Sequence, residues 1–103
     1  MKDNQLTLIY TTCDSLESAK KLAKHVVKKS LAKCVNIIPC IHSVYMWEGD
    51  LKEAEEYGLI FKTSLSKGNL LIKWLAENHP YDSPALLKSD VQTTQEFQSY
   101  IES

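Results

Sequence analysis

The stretch CVNIIPCIHSVYMWEGDLKEAEEYGLIFKT, residues 34–63, decides the fold of this chain. Its two extended runs, Cys34–Trp47 and Glu53–Thr63, are rich in the β-branched and aromatic residues that favour strands. Between them, Glu48-Gly49-Asp50 supplies a turn whose glycine can adopt a positive φ. Pro39 cannot donate to a strand ladder, so it predicts a bulge or a sheet edge in the first arm. The stretch therefore predicts one β-hairpin.

The length of this hairpin predicts self-association. Each arm exceeds ten residues, whereas ordinary strands have about five or six. The other two strand-like segments are short: Leu6–Thr12, and a strand that begins at Ala85-Leu86-Leu87. The hairpin must therefore extend beyond them and expose apolar side chains and unpaired backbone groups near its tip. Pairing with other copies of the chain would cover both, although arm length does not give the number of subunits.

A helix is predicted after the first strand. Asp14–Glu17 has the pattern of a capping box, in which an Asx cap is followed three residues later by Glu. Apolar residues then recur at helical spacing in one stripe: Leu16, Ala19, Leu22, Ala23, Val26 and Val27. We interpret the lysines on the opposite side as a solvated helix face rather than as a basic patch.

Two more helices are predicted further along the chain. Ser64 or Ser66 can cap a helix that stops before Pro80, because the residue preceding a proline is pushed out of the α region. Its inward residues are Leu71, Trp74 and Leu75. The segment Thr93–Glu96 repeats the capping-box pattern and begins a last helix. The apolar face of that helix contains Phe97, Tyr100 and Ile101.

The order of these elements is β-α-β-β-α-β followed by a terminal helix, which is the order of the ferredoxin-like fold. We therefore predict an α+β, ferredoxin-like βαββαβ sandwich with a long β2–β3 hairpin and a C-terminal helix. A length of 103 residues fits one domain, residues 1–103.

Composition argues against several functional classes, although it does not exclude a local charged patch. The net charge of −1 gives no overall field that favours a polyanion, so we expect neither nucleic-acid nor membrane partners. No apolar run approaches the ~18 residues that span a bilayer. The segment Met1–Gln5 leads directly into a strand-like run without a secretory pattern, so we expect a cytoplasmic protein.

The chemistry-bearing residues do not form an enzymatic motif. The chain has no nucleophile elbow, P-loop, HExxH or GxGxxG sequence. Strand alternation puts Glu53 and Glu55 on one face and Glu56 on the other, so they do not form a carboxylate pair for acid–base catalysis. We expect neither an enzyme nor an obligatory cofactor.

The three cysteines, Cys13, Cys34 and Cys40, are odd in number and lack CxxC spacing. This pattern fits neither a disulfide framework nor a zinc site. By default we interpret them as small hydrophobic residues.

Four segments resemble the CutA divalent-cation-tolerance family: residues 30–39 (SLAKCVNIIP), 43–49 (SVYMWEG), 61–63 (FKT) and 79–84 (HPYDSP). The match runs in order over nearly the whole chain. The resemblance implies a ferredoxin-like protomer, a tight homotrimer whose sheets join edge to edge, and a cytoplasmic location in bacteria. It also implies a link to tolerance of divalent metals, copper in particular, without a known catalytic activity.

The chain departs from the family pattern at residues that bear on metal binding. Copper binding in some members is linked to a cysteine where this chain has Thr11, and to a double histidine where it has Asn78-His79. The position after Pro39, usually glycine in the family, is Cys40.

His79 and Cys13 are the candidate metal ligands. Soft thiolate and imidazole groups suit copper, and Cys13 lies two residues after Thr11, on the same face if the strand continues that far. An alternative role for His79 is to bond the last free carbonyls of its helix. The direction of Cys13 is open, because the chain turns into a helix there.

Four aromatic residues, Tyr45, Trp47, Tyr57 and Tyr81, are the candidate interface or cleft residues, together with Glu48. They could line a small-molecule cleft between subunits. We prefer a role as interface anchors, because each aromatic ring buries a large apolar area.

Three functional hypotheses follow. The first is a cytoplasmic homotrimer that binds divalent metal, copper first, near its subunit junctions. The second is a trimeric sensor that resembles PII-type signalling proteins and binds a small ligand between subunits. The third is a structural trimer that anchors another protein.

Overall fold

A computed structural model describes residues 3–103; Met1 and Lys2, part of the segment used above to infer the compartment, lie outside the described residues. The order of elements is as predicted. The strands are β1 (Gln5–Cys13), β2 (Cys34–Trp47), β3 (Asp50–Thr63) and β4 (Leu87–Gln92). The helices are α1 (Leu16–Lys28), α2 (Gly68–Asn78) and α3 (Gln95–Glu102), with a 3₁₀ turn over Leu65–Lys67.

The four strands form one antiparallel sheet in the order β2-β3-β1-β4. Strand β1 is central: Ile9 pairs with Phe61 of β3 on one side and with Lys88 of β4 on the other. This arrangement confirms the predicted α+β, ferredoxin-like fold.

Alternation along the strands places the core on one face of the sheet. Ile9, Cys13 and Phe61 are completely buried on that face, where α1 and α2 cover them. The helices contribute these buried residues: Ala19, Leu22, Ala23, Val26, Leu71 and Leu75. Helix α3 contacts the opposite face, since Lys62, which alternates with Phe61, lies over the ring of Phe97 at 5.6 Å.

The helix caps differ from the prediction by one residue. Ser15, not Asp14, caps α1, and its Oγ accepts a hydrogen bond from the Ser18 N–H at 3.1 Å. Likewise Thr94, rather than Thr93, caps α3 by accepting from the Phe97 N–H. In both helices the glutamate is consequently one position too early to close a capping box.

Three smaller predictions also change. Ser64 precedes the 3₁₀ turn, but its hydroxyl contacts Ser66 Oγ at 3.1 Å instead of capping backbone N–H groups. Trp74 is half-buried and packs against the core, as predicted, whereas Tyr100 is exposed. Strand β4 starts at Leu87, because the preceding residues form an irregular loop.

The predicted overhang of the hairpin is confirmed. Strand β1 ends where Cys13 pairs with Tyr57, and beyond that point β2 and β3 pair only with each other. We call residues 41–56 the ribbon. Its tip is a two-residue turn, Glu48-Gly49, with φ values of 50° and 83°. Positive φ at both positions fits the right-handed twist of a hairpin.

The bulge predicted at Pro39 is also confirmed, and it lies on the edge strand β2. The register shifts between Ile38 and Ile41, where three steps along β2 oppose two along β3. Cys40 within the bulge has φ of 59°, in the left-handed region that usually takes glycine. Because strand side chains alternate between the two faces of a sheet, the extra residue shifts this alternation by one position. The same alternate set of β2 side chains therefore lies on one face before the bulge and on the other face after it.

Candidate functional site

A group of polar side chains connects the root of the ribbon to the end of α2. We call Thr11, Thr12, Glu56, His79 and Tyr81 the base network. The backbone of His79 is extended at the end of α2 (φ −68°, ψ 142°), as its position before Pro80 requires. Its ring therefore turns back toward β1.

Both ring nitrogens of His79 are engaged. Nε2 lies 2.9 Å from the carbonyl oxygen of Thr12 and 2.9 Å from Thr11 Oγ1. Nδ1 accepts a hydrogen bond from the backbone N–H of Tyr81 at 3.0 Å. Because an N–H can only donate, Nδ1 carries no proton, and the proton of the neutral ring lies on Nε2.

The surroundings favour this neutral form of His79. Burial lowers the pKa of the imidazole, although the Thr12 carbonyl and the charges of Asp14 and Glu56 oppose the shift. The carbonyl that Nε2 contacts belongs to β1, not to the last turn of α2. The alternative role for His79, bonding its own helix carbonyls, is therefore replaced by a bond to the sheet.

Tyr81 continues the network to the ribbon. Its hydroxyl donates to Glu56 Oε2 at 2.8 Å, and its ring centroid lies 5.0 Å from that of His79. Burial raises the pKa of Glu56, but hydrogen bonds from Ser43, Tyr81 and Thr12 outweigh it and lower the pKa overall. Glu56 is thus an ionised acceptor that joins β1, β3 and the loop after α2.

Cys13 lies beside this network but is protonated at neutral pH. It is completely buried at the end of β1. Burial raises its pKa to about 11, and the negative charges of Asp14 and Glu56 contribute to the rise. The default interpretation of the cysteines holds for Cys13, but Cys34 is only half-buried and Cys40 is exposed.

The protomer does not present a preformed metal site at these residues. A metal on Nδ1 of His79 has to displace the Tyr81 N–H, and a metal on Cys13 has to remove a proton from a buried thiol. Across residues 3–103, no three His, Cys, Asp or Glu side chains converge as a ligand set. The residues present therefore do not fit a resident metal in this arrangement.

The candidate cleft residues fall into two groups. Tyr45, Trp47 and Glu48 lie at the tip of the ribbon, whereas Tyr57 and Tyr81 lie at its root. Tyr45 is opposite Lys52, five residues from Tyr57, so the two groups are about 17 Å apart along the strand. Within one protomer they do not line a common cleft.

Glu56 is the main residue that the sequence analysis missed. Alternation assigns it to the face opposite Glu55, which is where the structure has it. Its position next to Tyr57 could have indicated its role. Tyr57 pairs with Cys13 at the end of β1, so Glu56 lies just beyond that strand end. The threonine partners of His79 are separated from it by 67 and 68 residues and carry no local signal.

Comparison with known proteins identifies the family. The model of the CutA1 divalent ion tolerance protein family matches residues 7–103. The chain belongs to the CutA1 family. This confirms the resemblance seen in the four sequence segments.

The CutA1 chain is similar to proteins from all domains of life. It is 36% identical over 84 residues to the divalent-cation tolerance protein CutA of Thermococcus kodakarensis, covering 82% of this chain and 80% of the relative. It is 42% identical over 80 residues to the chloroplastic CutA of Arabidopsis thaliana, covering 78% of this chain and 44% of the relative. The chain spans about half the length of several curated relatives that it matches.

Solved CutA1 structures share the whole fold. The divalent ion tolerance protein CutA1 from Ehrlichia chaffeensis superposes with a TM-score of 0.90 at 28% identity, covering 98% of this chain and 94% of that one. A protein described as the periplasmic divalent cation tolerance protein CutA from Archaeoglobus fulgidus gives 0.87 at 35% identity, covering 93% and 94%.

The described part of this CutA1 chain, residues 3–103, contains no helix with the length and apolar character needed to cross a membrane. The relatives include proteins described as chloroplastic and periplasmic, so the compartment varies among similar proteins.

Proposed function

We propose that this CutA1 protein acts as a cytoplasmic homotrimer in tolerance of divalent metal ions, copper first, by binding metal near its subunit junctions without catalysing a reaction. Membership of the family supports the link to divalent cations. The main support for assembly into a homotrimer is the ribbon, because its side chains do not enclose a core of their own.

The exposed apolar side chains of the ribbon need a partner. Met46 is 64% exposed, Trp47 56% and Leu51 69%, although all three lie in regular strands. Val44 and Tyr45 are exposed beside them, so both faces of the ribbon carry apolar groups. Exposed apolar side chains concentrated in this way mark an interaction surface. The free edge of β2 adds unpaired backbone groups that a second copy can pair.

Metal binding by His79 and Cys13 requires a change in the base network. The Tyr81 N–H must leave Nδ1 of His79, and the Cys13 thiol must lose its proton. Both residues lie at the root of the ribbon, the place where the sheet of one protomer ends and a neighbour could supply further ligands. We therefore propose a junction site that is completed on assembly and binds copper with modest affinity.

Assembly is tested by native mass spectrometry and multi-angle light scattering over a range of protein concentrations. The expected result is a species of three protomer masses that persists on dilution. A stable species of 11.7 kDa, the mass of one protomer, would contradict the proposal.

Metal binding is tested by titrating copper into the wild-type trimer and into His79→Ala and Cys13→Ser proteins by calorimetry. We expect weaker binding in both variants and unchanged binding in His42→Ala, since His42 is an exposed histidine of the ribbon that lies outside the base network, 3.8 Å from Glu55. Identical curves for wild type and His79→Ala would remove His79 from the site.

A small-ligand sensor is the second candidate function, because the candidate cleft residues are separated within one protomer. The tip and root aromatics can meet only if the tip of one copy reaches the root of another, which would form an inter-subunit cleft for a small ligand. A ligand retained in the native mass spectrum of the trimer would favour a sensor. A trimer that takes up neither metal nor small ligand would favour the structural, anchoring function.

A further inference from the structure

The outer face of α1 is positively charged along its length. Lys20, Lys24 and Lys28 follow one another at four-residue spacing, about 6 Å apart along the helix, and Lys21 lies beside them. All four are exposed, and Glu17 is the only acidic residue in the helix. The whole chain has a net charge of −1, so this face is a local concentration of charge.

These lysines have no carboxylate partner within the described chain. Between residues 3 and 103, the ion pairs are His42–Glu55 and Lys88–Asp90, and neither involves α1. Lysines four residues apart on a helix repel one another. Solvation, the interpretation that the sequence favours for these lysines, leaves this repulsion in place, whereas an anionic surface at the same spacing would relieve it.

A groove between α1 and α2 borders this charged face. Lys21 and His25 line it from α1, Trp74 and Asn78 line it from α2, and Leu22 lies between them. The groove encloses about 320 Å³, at the small end of the range for ligand sites. Trp74 is half-buried, so part of its indole remains available at the groove. This volume accommodates an apolar side chain rather than a cofactor.

We propose that this face of α1, together with the groove, docks an acidic helical segment of another protein. Carboxylates four residues apart on that segment contact Lys20, Lys24 and Lys28, and an apolar side chain packs against Trp74. An aromatic anchor beside a charged rim is the usual composition of a protein-binding hot spot. The site is separate from the ribbon. Its lining includes Asn78 and Pro80, the chain neighbours of His79, but no residue of the base network itself.

Two other anionic partners fit the surface less well. A nucleic-acid backbone supplies phosphates at the lysines, but it has no aliphatic side chain for the Trp74 groove. A membrane-surface helix inserts its apolar face into lipid, whereas the apolar stripe of α1 is buried against the sheet through Ala19, Leu22 and Val26.

The test uses a fluorescein-labelled, alanine-based helical peptide with three glutamates at four-residue spacing and two leucines on the adjacent ridge. Anisotropy titrations compare wild type with Lys24→Glu, and with Lys73→Glu as the matched control. Lys73 is an exposed lysine of α2 that does not line the groove. We expect about fivefold weaker binding for Lys24→Glu, since one contact changes from attraction to repulsion, and little change for the control.

A second measurement follows Trp74 directly. The chain has two tryptophans, so Trp47→Phe leaves Trp74 as the only indole, and bound peptide should shift its emission to shorter wavelength. Equal binding of a peptide without leucines, equal loss in Lys24→Glu and Lys73→Glu, or no change in Trp74 emission would each overturn the proposal. Tighter binding of a short DNA duplex than of the peptide would overturn it in favour of a nucleic acid.

Discussion

The body of this protein and its ribbon use apolar residues in opposite ways. In the body, Ile9, Phe61 and Leu75 are completely enclosed by the sheet and by α1 and α2. In the ribbon, Met46 and Trp47 occupy regular strand positions and remain mostly exposed. The difference separates two sets of apolar residues: one set stabilises the protomer, and the other would be covered only in the proposed assembly.

The base network lies at the boundary between these two regions. Glu56 belongs to the ribbon, whereas His79 and the threonines of β1 belong to the body. The hydrogen bond from Tyr81 to Glu56 therefore connects the ribbon to the body of the protomer.

The largest effect is expected from a cavity in the body. Phe61→Ala should lower the free energy of unfolding by about 3–5 kcal/mol, because Phe61 is completely buried and its removal leaves a void. Denaturation in guanidinium chloride at fixed protein concentration measures this. Leu70→Ala, at an exposed position of α2, should change stability by less than about 0.5 kcal/mol. Similar losses in both variants would contradict the assignment of the core.

The next effect concerns the ribbon. Trp47→Glu should weaken association by about 2–4 kcal/mol, because it places a charge in the proposed interface, while the fold of the protomer is kept. Light scattering at decreasing concentration measures the change, and circular dichroism checks the fold. Leu70→Glu is the matched control, since Leu70 and Trp47 are both 56% exposed. Dissociation by the control alone would place the interface on the helices.

At the boundary, Tyr81→Phe removes the hydroxyl that donates to Glu56. We expect a loss of about 1 kcal/mol in unfolding free energy, after allowing for the partial exposure of both groups. The pKa of Glu56 is below its ordinary value of 4.5, so its contribution is present above that pH and is lost as pH falls through the folded pKa.

The difference between wild type and Tyr81→Phe should therefore shrink in acid. Thermal unfolding at pH 7 and below pH 4 measures it, with Tyr100→Phe, an exposed tyrosine of α3, as control. A difference that stays constant over this range would show that the Glu56 carboxylate is not the acceptor.

The bulge between the two regions offers a gain of stability. Cys40 is exposed and has a left-handed backbone, which costs a residue with a Cβ roughly 1 kcal/mol relative to glycine. Cys40→Gly should raise the unfolding free energy by about that amount, whereas Cys40→Ala should not, since it keeps the Cβ. Chemical denaturation under reducing conditions measures both. An equal gain in the two variants would assign the effect to the thiol instead.

The smallest effect is a dependence on pH at His79. Burial keeps the folded pKa below the ordinary 6.5, so the unfolded chain binds more protons in the window just below 6.5. Stability should therefore decrease as pH falls from 7 through that window. The slope should be smaller in His79→Gln and unchanged in His42→Gln, whose imidazole is exposed. Unfolding midpoints at closely spaced pH values measure the slope.

Most of the fold could be predicted because its signals are local. The length of the arms, Pro39 and Gly49 are visible in residues 34–63, and each acts where it lies in the sequence. The cap of α1 lies one residue later than the capping-box pattern predicts, because that pattern does not contain the end of β1. That end is fixed by the pairing of Cys13 with Tyr57, a contact distant in sequence.

The candidate site could be predicted only in part, because several of the contacts that define it join residues distant in sequence. His79 and Tyr81 stand out beside Pro80, and both do belong to one network. The partners that define their chemistry, Thr12 and Glu56, come from two other strands whose register is set by core packing. Nor does the sequence indicate that both nitrogens of His79 are already engaged, which determines what a metal ion has to displace.

The single unmatched residue at Cys40 also sets a rule for protein engineering. Between the bulge and the Glu48-Gly49 turn, side-chain direction repeats every second residue. Lengthening both arms by two residues next to the turn keeps the added segment in phase, whereas adding one to each rotates the terminal loop half a turn about the strand axis. The length of the ribbon can thus be changed in steps of about 7 Å. A loop grafted at its tip could therefore be held at a chosen distance from the rigid body of the protein.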